Sequence, residues 1–256
     1  MATATLPHDT AELRTPESLA PLRLVACAAR TNRGDRRRVN EDSMLVAPPL
    51  LAVADGVGGK RAGEHASALA IDVLRREVQA ASDDPEFELR IALDAANGAV
   101  RAAATDQSLK GMATTVVAAL VTPAGVTVAH AGDSRAYLLR AGRLELLTRD
   151  HSLVGSLVAD GRLEPVAARR HPMRSVILRA VGLDDAVRAD VSTVEARSGD
   201  VLLLCSDGLS DHLAPKEFER LAAAEHELDH MVEHLAAAAR RAGGGDDITV
   251  VAGRLG

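Results

Sequence analysis

The sequence is poor in aromatic residues and cysteine. Among 256 residues there is no tryptophan, and Phe87, Phe218 and Tyr137 are the only aromatic residues. The core must therefore be built mainly from alanine, leucine and valine. The two cysteines, Cys27 and Cys205, match neither a disulfide framework nor the spacing of zinc ligands. This usage favours a reducing compartment.

Long apolar runs and a basic charge balance are also absent. No segment approaches the roughly 20 uninterrupted apolar residues that span a bilayer, and the N-terminus does not follow the pattern of a signal peptide. We therefore expect a soluble, cytoplasmic protein that has no membrane partner. The net charge of −6 provides no general attraction to nucleic acid. Residues 30–38 contain five arginines but no aromatic residue that could stack on a base, so no nucleic-acid partner is expected.

Apolar periodicity divides the chain into a tail and one domain. Residues 1–21 are rich in Thr, Pro and Ala without periodicity, and they predict a flexible N-terminal tail. Short β-rich runs joined by glycine turns predict antiparallel meanders, and residues 150–185 predict a surface lid. Helices are predicted at about 62–80, 87–104, 215–224 and 227–241. Strands are predicted at about 22–29, 113–121, 126–131, 136–147, 187–195 and 201–205, followed by a last strand after residue 247.

Several predicted strands end at an aspartate. Residues 50–54 are all apolar and run into Asp55-Gly56, which predicts a strand buried on both faces that stops at a carboxylate. Asp-Gly alone is a common hairpin turn. The pattern recurs, however, at Asp133 and Asp207, and it occurs in reverse order where Asp246 precedes an apolar run. Hairpin turns alone do not explain four such positions.

If these carboxylates meet, mutual repulsion raises their pKa values, and a cation must be present for all of them to ionise. Carboxylate ligands favour magnesium or manganese over zinc or copper. Two such ions about 3.5–4 Å apart can activate water against a phosphoryl group, which predicts hydrolysis of a phosphate ester. A guanidinium from Arg36, Arg37 or Arg38 would hold the phosphate.

Six ordered motifs resemble those of metal-dependent Ser/Thr protein phosphatases of the 2C type, the PPM family. The DGxGG sequence and the segment inserted from about Asp150 resemble its bacterial branch, and the likeness runs from about Leu22 to the C-terminus. The motifs are Arg37-Arg38-Val39-Asn40-Glu41-Asp42, Asp55-Gly56-Val57-Gly58-Gly59, Gly111-Met112-Ala113-Thr114-Thr115, Gly132-Asp133-Ser134-Arg135, Ser206-Asp207-Gly208 and Asp246-Asp247-Ile248-Thr249.

The resemblance implies an α+β fold, a four-layer α-β-β-α sandwich with two antiparallel sheets between helices. Residues 22–256 would form a single phosphatase catalytic domain with a flap at about 150–185. The family's cofactors would be two or three Mg²⁺ or Mn²⁺ ions. By resemblance, Arg37 and Asp55 would be catalytic, with Arg37 holding the phosphate. The implied metal ligands are Asp55, shared by two ions, the Gly56 carbonyl, Asp207, Asp246, Asp42 through waters, and Asp133 at a third, weaker site.

The implied function is hydrolysis of phosphoserine and phosphothreonine in proteins by a water or hydroxide that bridges two metals. The enzyme would act as a monomer in bacterial signalling and would oppose a Ser/Thr protein kinase on the kinase and its substrates. The alternative is a non-catalytic relative that binds phosphoproteins as an adaptor, although such a binder has no use for so many carboxylates. The motifs also leave open a small phosphorylated metabolite as substrate, or a sigma-factor regulator.

Two positions depart from the family pattern. Val57 stands where the animal branch has a histidine, so the general acid is unassigned; a metal-bound water or a residue near Lys60 are alternatives. Asp247 stands where the family usually has asparagine. We interpret its side chain as an acceptor for a backbone hydrogen bond rather than as a metal ligand.

Other polar residues have simpler explanations. Residues 226–230 match the HExxH pattern of zinc proteases, but the apolar stripe of this helix predicts that its histidines face solvent. His130 is interpreted as a hydrogen-bonded strand histidine. Ser134 and Arg135 are interpreted as structural supports, the arginine pairing with an acid. His151 and His171 are interpreted as solvated residues of the lid.

Overall fold

The computed structural model describes residues 21–57, 62–79 and 82–256. Within these residues the chain forms eleven strands and seven helices. The predicted tail up to residue 20, together with Gly58, Gly59 and Lys60, lies outside the described residues. The strands are β1 (Leu24–Asn32), β2 (Asp42–Ala47), β3 (Leu50–Val57), β4 (Ala113–Thr114), β5 (Val116–Thr122), β6 (Gly125–Ala131), β7 (Arg135–Arg140), β8 (Arg143–Leu146), β9 (Asp190–Val194), β10 (Val201–Cys205) and β11 (Ile248–Leu255). The helices are α1 (Ala62–Glu77), α2 (Pro85–Ala103), α3 (Leu153–Ala159), α4 (Pro165–Ala168), α5 (Asp207–Ser210), α6 (Pro215–Ala224) and α7 (Leu228–Ala242).

The strands form two antiparallel sheets that pack face to face. One sheet has the order β1-β11-β10-β7-β8, and the other has the order β2-β3-β5-β6-β9 with β4 attached to β3. Helices α1 and α2 cover the outer face of the second sheet, whereas α5, α6 and α7 cover the outer face of the first. The predicted four-layer α-β-β-α sandwich is therefore confirmed.

The central strands are apolar throughout because each lies between a helical layer and the opposite sheet. In β3, Leu51 and Val53 point between the sheets, whereas Ala52 and Ala54 pack against the α1–α2 layer. Successive side chains of a strand alternate between its two faces. A strand that is covered on both faces therefore has no polar position until it ends, and Asp55 is the first polar residue of β3.

The predicted element boundaries are largely confirmed. Helix α6 has the predicted bounds, and α1 ends three residues before the predicted position 80. The strand predicted at 113–121 is divided into β4 and β5, and β2, α4 and α5 were not predicted. The predicted flap, residues 150–185, lies between β8 and β9 and contains α3 and α4. No helix in the described part of the chain combines the length and the apolar character needed to cross a membrane.

Candidate metal centre

Asp42 and Asp55 face each other across the hairpin of β2 and β3. They are Cα partners in the antiparallel register, and like charges at directly opposed positions destabilise a sheet. Two threonines fix the backbone at this point. The Asp55 amide donates to Thr115 Oγ1 at 3.0 Å, and Thr114 Oγ1 donates to the Asp55 carbonyl at 2.9 Å. The hairpin therefore holds two carboxylates together at the end of the sandwich.

Asp207 and Asp246 reach the same end from the other sheet. β10 ends at Cys205 and Asp207 opens α5, while Asp246 precedes β11 by two residues. Because β10 and β11 are antiparallel neighbours, the end of one strand adjoins the start of the other. The Ser206 amide donates to the Thr249 carbonyl at 3.1 Å and closes this junction.

Glycine after two of the aspartates allows the backbone to pass close to its neighbours. A Cβ atom on Gly56 would overlap the carbonyl of Gly63 in α1, and a Cβ on Gly208 would overlap the carbonyl of Asp247. Any larger residue would push these segments apart. The Asp-Gly pairs therefore serve close packing here, not hairpin turns.

The carboxylates act strongly on one another. Burial raises the pKa of Asp55 well above its usual value, and the charges of Asp42, Asp207, Asp246 and Asp133 raise it further, in that order. All five aspartates singled out in the sequence therefore lie near enough to interact through their charges, but in the described residues no three of them have oxygens that all lie within 4.8 Å of one another. Burial is also the main cause that raises the pKa of Asp42 to about 7 and that of Asp207 to about 7.

One oxygen of Asp42 is left without a partner. Asp42 Oδ2 accepts a hydrogen bond from Ser206 Oγ at 2.8 Å, but Oδ1 is buried and has no hydrogen-bond partner. A buried acceptor without a partner costs roughly 1–3 kcal/mol, and more when it is charged. A bound cation would remove this cost. The unpaired oxygen and the all-carboxylate donor set fit hard divalent ions such as Mg²⁺ or Mn²⁺.

Arg37 lies at the edge of the acidic cluster. Its Nη2 is 2.6 Å from Asp246 Oδ1, and its Nη1 is 3.0 Å from Glu41 Oε2. The hydrogen bond to Asp246 raises the pKa of Arg37 above its usual value, so the guanidinium stays charged. About a third of its side chain is exposed. Arg37 is therefore a fixed cation that a ligand in solution can reach.

Asp247 supports the loop that carries Arg37. Its Oδ1 accepts the Gly34 amide and its Oδ2 accepts the Glu41 amide, both at 2.8 Å. The interpretation of Asp247 as a backbone acceptor is confirmed. Asparagine would replace one of these two oxygens with an NH₂ group, which cannot accept a hydrogen bond from the amide at that position.

Some residues around the site were not recognised in the sequence. Ser206 Oγ donates a hydrogen bond to Asp42 and accepts one from the Thr249 amide at 3.0 Å. Asp211 lies near Asp133 and acts on its charge, and burial raises the pKa of Asp211 itself. The Ser-Asp-Gly motif contained Ser206, but nothing in it indicated a contact with Asp42. Asp211 lies four residues after Asp207 and therefore one helical turn away, which is a signal that could have been used.

A second cluster contains histidines but does not suit a metal. Among the described residues, one group of three potential metal ligands has atoms that all lie within 4.8 Å of one another. It consists of His130, His151 and Asp190. Arg179 Nη1 occupies this cluster, 2.8 Å from Asp190 and 3.2 Å from His151, and its charge opposes a metal ion. His130 Nε2 lies 2.8 Å from the Arg149 carbonyl oxygen and 3.3 Å from the Arg149 amide nitrogen, which confirms the interpretation of a hydrogen-bonded strand histidine.

The remaining interpretations agree with the structure. His226, His230 and His234 are exposed, whereas Leu228, Met231, Val232 and Leu235 are buried. Ser134 Oγ bonds Thr115 Oγ1 at 2.7 Å, and Arg135 grips Asp150 through two hydrogen bonds of 2.8 and 2.7 Å. His171 is partly exposed, but His151 is buried, so its interpretation as a solvated lid residue is wrong. Burial by the sheet end and the Gly132 amide bond to its Nδ1 explain the difference.

The chain is similar in sequence to a known protein family and to several bacterial proteins. The sequence profile of the protein phosphatase 2C family matches residues 35–243. The serine/threonine protein phosphatase PstP of Mycobacterium tuberculosis is 42% identical over 229 residues, which cover 88% of this chain and 44% of that protein. The serine/threonine phosphatase stp of Listeria monocytogenes is 38% identical over 233 residues, 87% of this chain and 92% of that protein. The chain thus spans less than half the length of the mycobacterial relative.

Solved structures resemble the fold closely. The catalytic domain of PstP in complex with two manganese ions superposes with a TM-score of 0.84 at 38% identity, and the match covers 91% of this chain and 99% of that one. The phosphatase MsPP from Mycobacterium smegmatis in complex with cacodylate gives a TM-score of 0.84 at 35% identity, with the same coverage.

Proposed function

This chain belongs to the protein phosphatase 2C family, and from that premise we propose that it hydrolyses phosphoserine and phosphothreonine esters in proteins. The observation that carries this proposal is the cluster of five aspartates with the unpaired, buried Oδ1 of Asp42. So many repelling carboxylates are costly unless they hold cations. The rival adaptor function gives no reason to keep them.

The proposed ligands are carboxylates from both sheets. We propose that Asp55, the Gly56 carbonyl, Asp207 and Asp246 would hold the divalent ions, and that Asp42 would contribute through water. Asp133, whose pKa is raised by burial and then by Asp207, would serve a further ion. When bound, divalent ions of this kind lower the pKa of water and take up charge on a phosphoryl group. Both magnesium and manganese suit this ligand set.

Arg37 is proposed to bind the phosphate of the substrate. A guanidinium offers two parallel N–H donors to phosphate oxygens. Its contacts with Asp246 and Glu41 hold it beside the carboxylates, so it would place the phosphate next to the metal centre without large rearrangement. Its permanent charge also offsets that of the phosphate. Asp247 acts indirectly by fixing the loop that carries Arg37.

We also propose the setting in which the enzyme works. Its substrates would be proteins phosphorylated by a bacterial Ser/Thr kinase, and the kinase itself, in a signalling pathway. The free thiols of Cys27 and Cys205 support a reducing, cytoplasmic compartment. A monomer is proposed because every proposed ligand comes from one chain.

The test is phosphate release from a phosphothreonine peptide. We expect release with Mn²⁺ or Mg²⁺, none with a chelator, and none for Asp207→Asn with metal present. Asp229→Asn, which removes an exposed carboxylate of α7, is the matched control and should match the wild type. Peptide binding without release of phosphate by the wild type would support the adaptor and refute the enzyme.

A further inference from the structure

A partly apolar cavity lies beside the acidic cluster, between the flap and the strands β7 and β8. Its volume is about 430 Å³, within the range of about 300–1,000 Å³ of small-ligand sites. Asp133 and Asp207 line one part of it, so the cavity is continuous with the candidate metal centre. We call it the flap pocket. Its apolar lining residues are Leu146, Val154, Val158, Ala159, Pro165, Ala168 and Pro215.

Part of the flap-pocket lining is apolar although it is open to solvent. Leu146, the last residue of β8, is 47% exposed, and it is joined in the lining by Val158 and Ala159 of α3 and Ala168 of α4. Leaving such surface in water is unfavourable by about 25 cal/mol per Å² of apolar area. An apolar group that entered the flap pocket would therefore gain affinity.

The charged residues around the flap pocket balance, because Asp133, Asp150, Asp207 and Asp211 line it together with Arg135, Arg149, Arg169 and Arg174. Arg149 lines the pocket and is exposed, and its guanidinium forms no ion pair within the described ranges. Arg169, by contrast, is held by the carbonyls of Ser210 at 3.2 Å and Asp211 at 2.8 Å. One arginine thus supports the wall and another is available to a ligand. A phosphopeptide combines negative charge with apolar side chains.

We propose that the flap pocket is a substrate subsite that binds an apolar side chain lying within about three residues of the phosphorylated residue. The proposal rests on the proposed phosphatase function, because the phosphate must lie among the aspartates for the flanking residue to reach the pocket. An extended chain advances about 3.3–3.6 Å per residue and alternates its side chains. Only one or two flanking positions can therefore point into the pocket, and the preference should be position-specific.

The test uses pairs of phosphothreonine peptides that differ only by leucine or serine at one position from −3 to +3. With the full chain and Mn²⁺, leucine should raise kcat/KM about tenfold at one or two positions and have little effect elsewhere, the order expected for an apolar contact in an enzyme pocket. The preference is a ratio of two rates measured on one preparation. It is therefore independent of the fraction of folded enzyme.

Two neighbouring alanines of α4 provide matched variants. Ala168 lines the flap pocket, whereas Ala167 is exposed and does not. Ala168→Phe should fill the pocket and reduce the leucine preference to about twofold or less, and Ala167→Phe should keep it. Leu146→Gln, a polar change at a half-exposed position, is the second variant, and it should weaken the preference without changing the melting temperature much.

Each outcome bears on the proposal. The proposal is supported if leucine is preferred at one or two positions, if Ala168→Phe removes this preference, and if Ala167→Phe retains it. Hydrolysis of all peptides without a leucine preference, or a preference that survives both Ala168→Phe and Leu146→Gln, overturns the subsite and leaves the phosphatase function intact. If no peptide is hydrolysed with Mn²⁺, the phosphatase function and the subsite are both wrong.

Discussion

Replacing Asp207 with asparagine should abolish turnover and yet stabilise the protein in the absence of metal. The pKa of the Asp207 carboxyl is raised to about 7, mainly by burial and then by the charge of Asp246. Above that pH the metal-free protein must hold a charge that the surroundings disfavour. Asparagine has nearly the same shape and no charge, so it removes this repulsion.

The size of the effect follows from the pKa shift. The change from 3.8 to about 7 corresponds to about 4 kcal/mol at about 1.4 kcal/mol per pKa unit. Because neighbouring aspartates share protons with Asp207, we expect about half of this, roughly 2 kcal/mol, at pH 8. For a protein of this size that is an increase of about 4–8 °C in melting temperature. A carboxyl whose pKa is raised in the folded state binds protons preferentially there, so its favourable contribution is lost as pH rises from about 4 to about 7.

The assay is thermal melting followed by circular dichroism, since the chain has no tryptophan. With chelator, Asp207→Asn should melt above the wild type at pH 8, and the difference should shrink to about 2 °C or less at pH 5. With Mn²⁺ the wild type should gain more than the variant. Asp229→Asn should change nothing. A metal-free Asp207→Asn variant that is less stable than the wild type at pH 8 would refute the repulsion argument.

The structure makes three further predictions. Burial raises the pKa of Asp42 to about 7, so protons should compete with metal ions below that pH. Titration calorimetry should then show that manganese binds about tenfold more weakly per pH unit between pH 7 and 5 for each such acid. A Kd that does not change with pH would contradict this. Arg37→Ala should raise KM for a phosphopeptide about tenfold or more with a smaller change in kcat. Asp55→Ala should abolish turnover. Equal, mild losses of kcat/KM in both variants would contradict their assigned roles. Asp247→Asn should lose one of two backbone hydrogen bonds and destabilise the protein by about 1–3 kcal/mol, and an unchanged midpoint in chemical denaturation would rule this out.

The sequence predicted the layers because burial leaves a strong local signal. The run from Leu50 to Ala54 is apolar on both faces of its strand, which is possible only between two covering layers. The apolar stripe of α7 likewise placed His230 and His234 in solvent. Both signals lie within a few consecutive residues, where strand or helix periodicity applies directly.

Contacts between distant parts of the chain were harder to predict. The bonds from Gly34 and Glu41 to Asp247 join residues more than 200 positions apart, and no local pattern encodes them. The hydrogen bond from Ser206 to Asp42 spans 164 positions. β2 was missed because its sequence does not alternate between polar and apolar residues. Two polar residues are followed by four apolar ones, of which the valine is exposed. Four of the aspartates could be read from strand ends, but Asp42 came only from the family resemblance. The residues that support them required the fold.

The most direct test of the metal centre is anomalous diffraction from a crystal of the protein grown with Mn²⁺. We expect two or three manganese peaks among the carboxylates of Asp55, Asp207 and Asp246, with one near Asp133 if the third ion binds. No peak among these residues, or a single peak at His130 and His151 instead, would contradict this expectation.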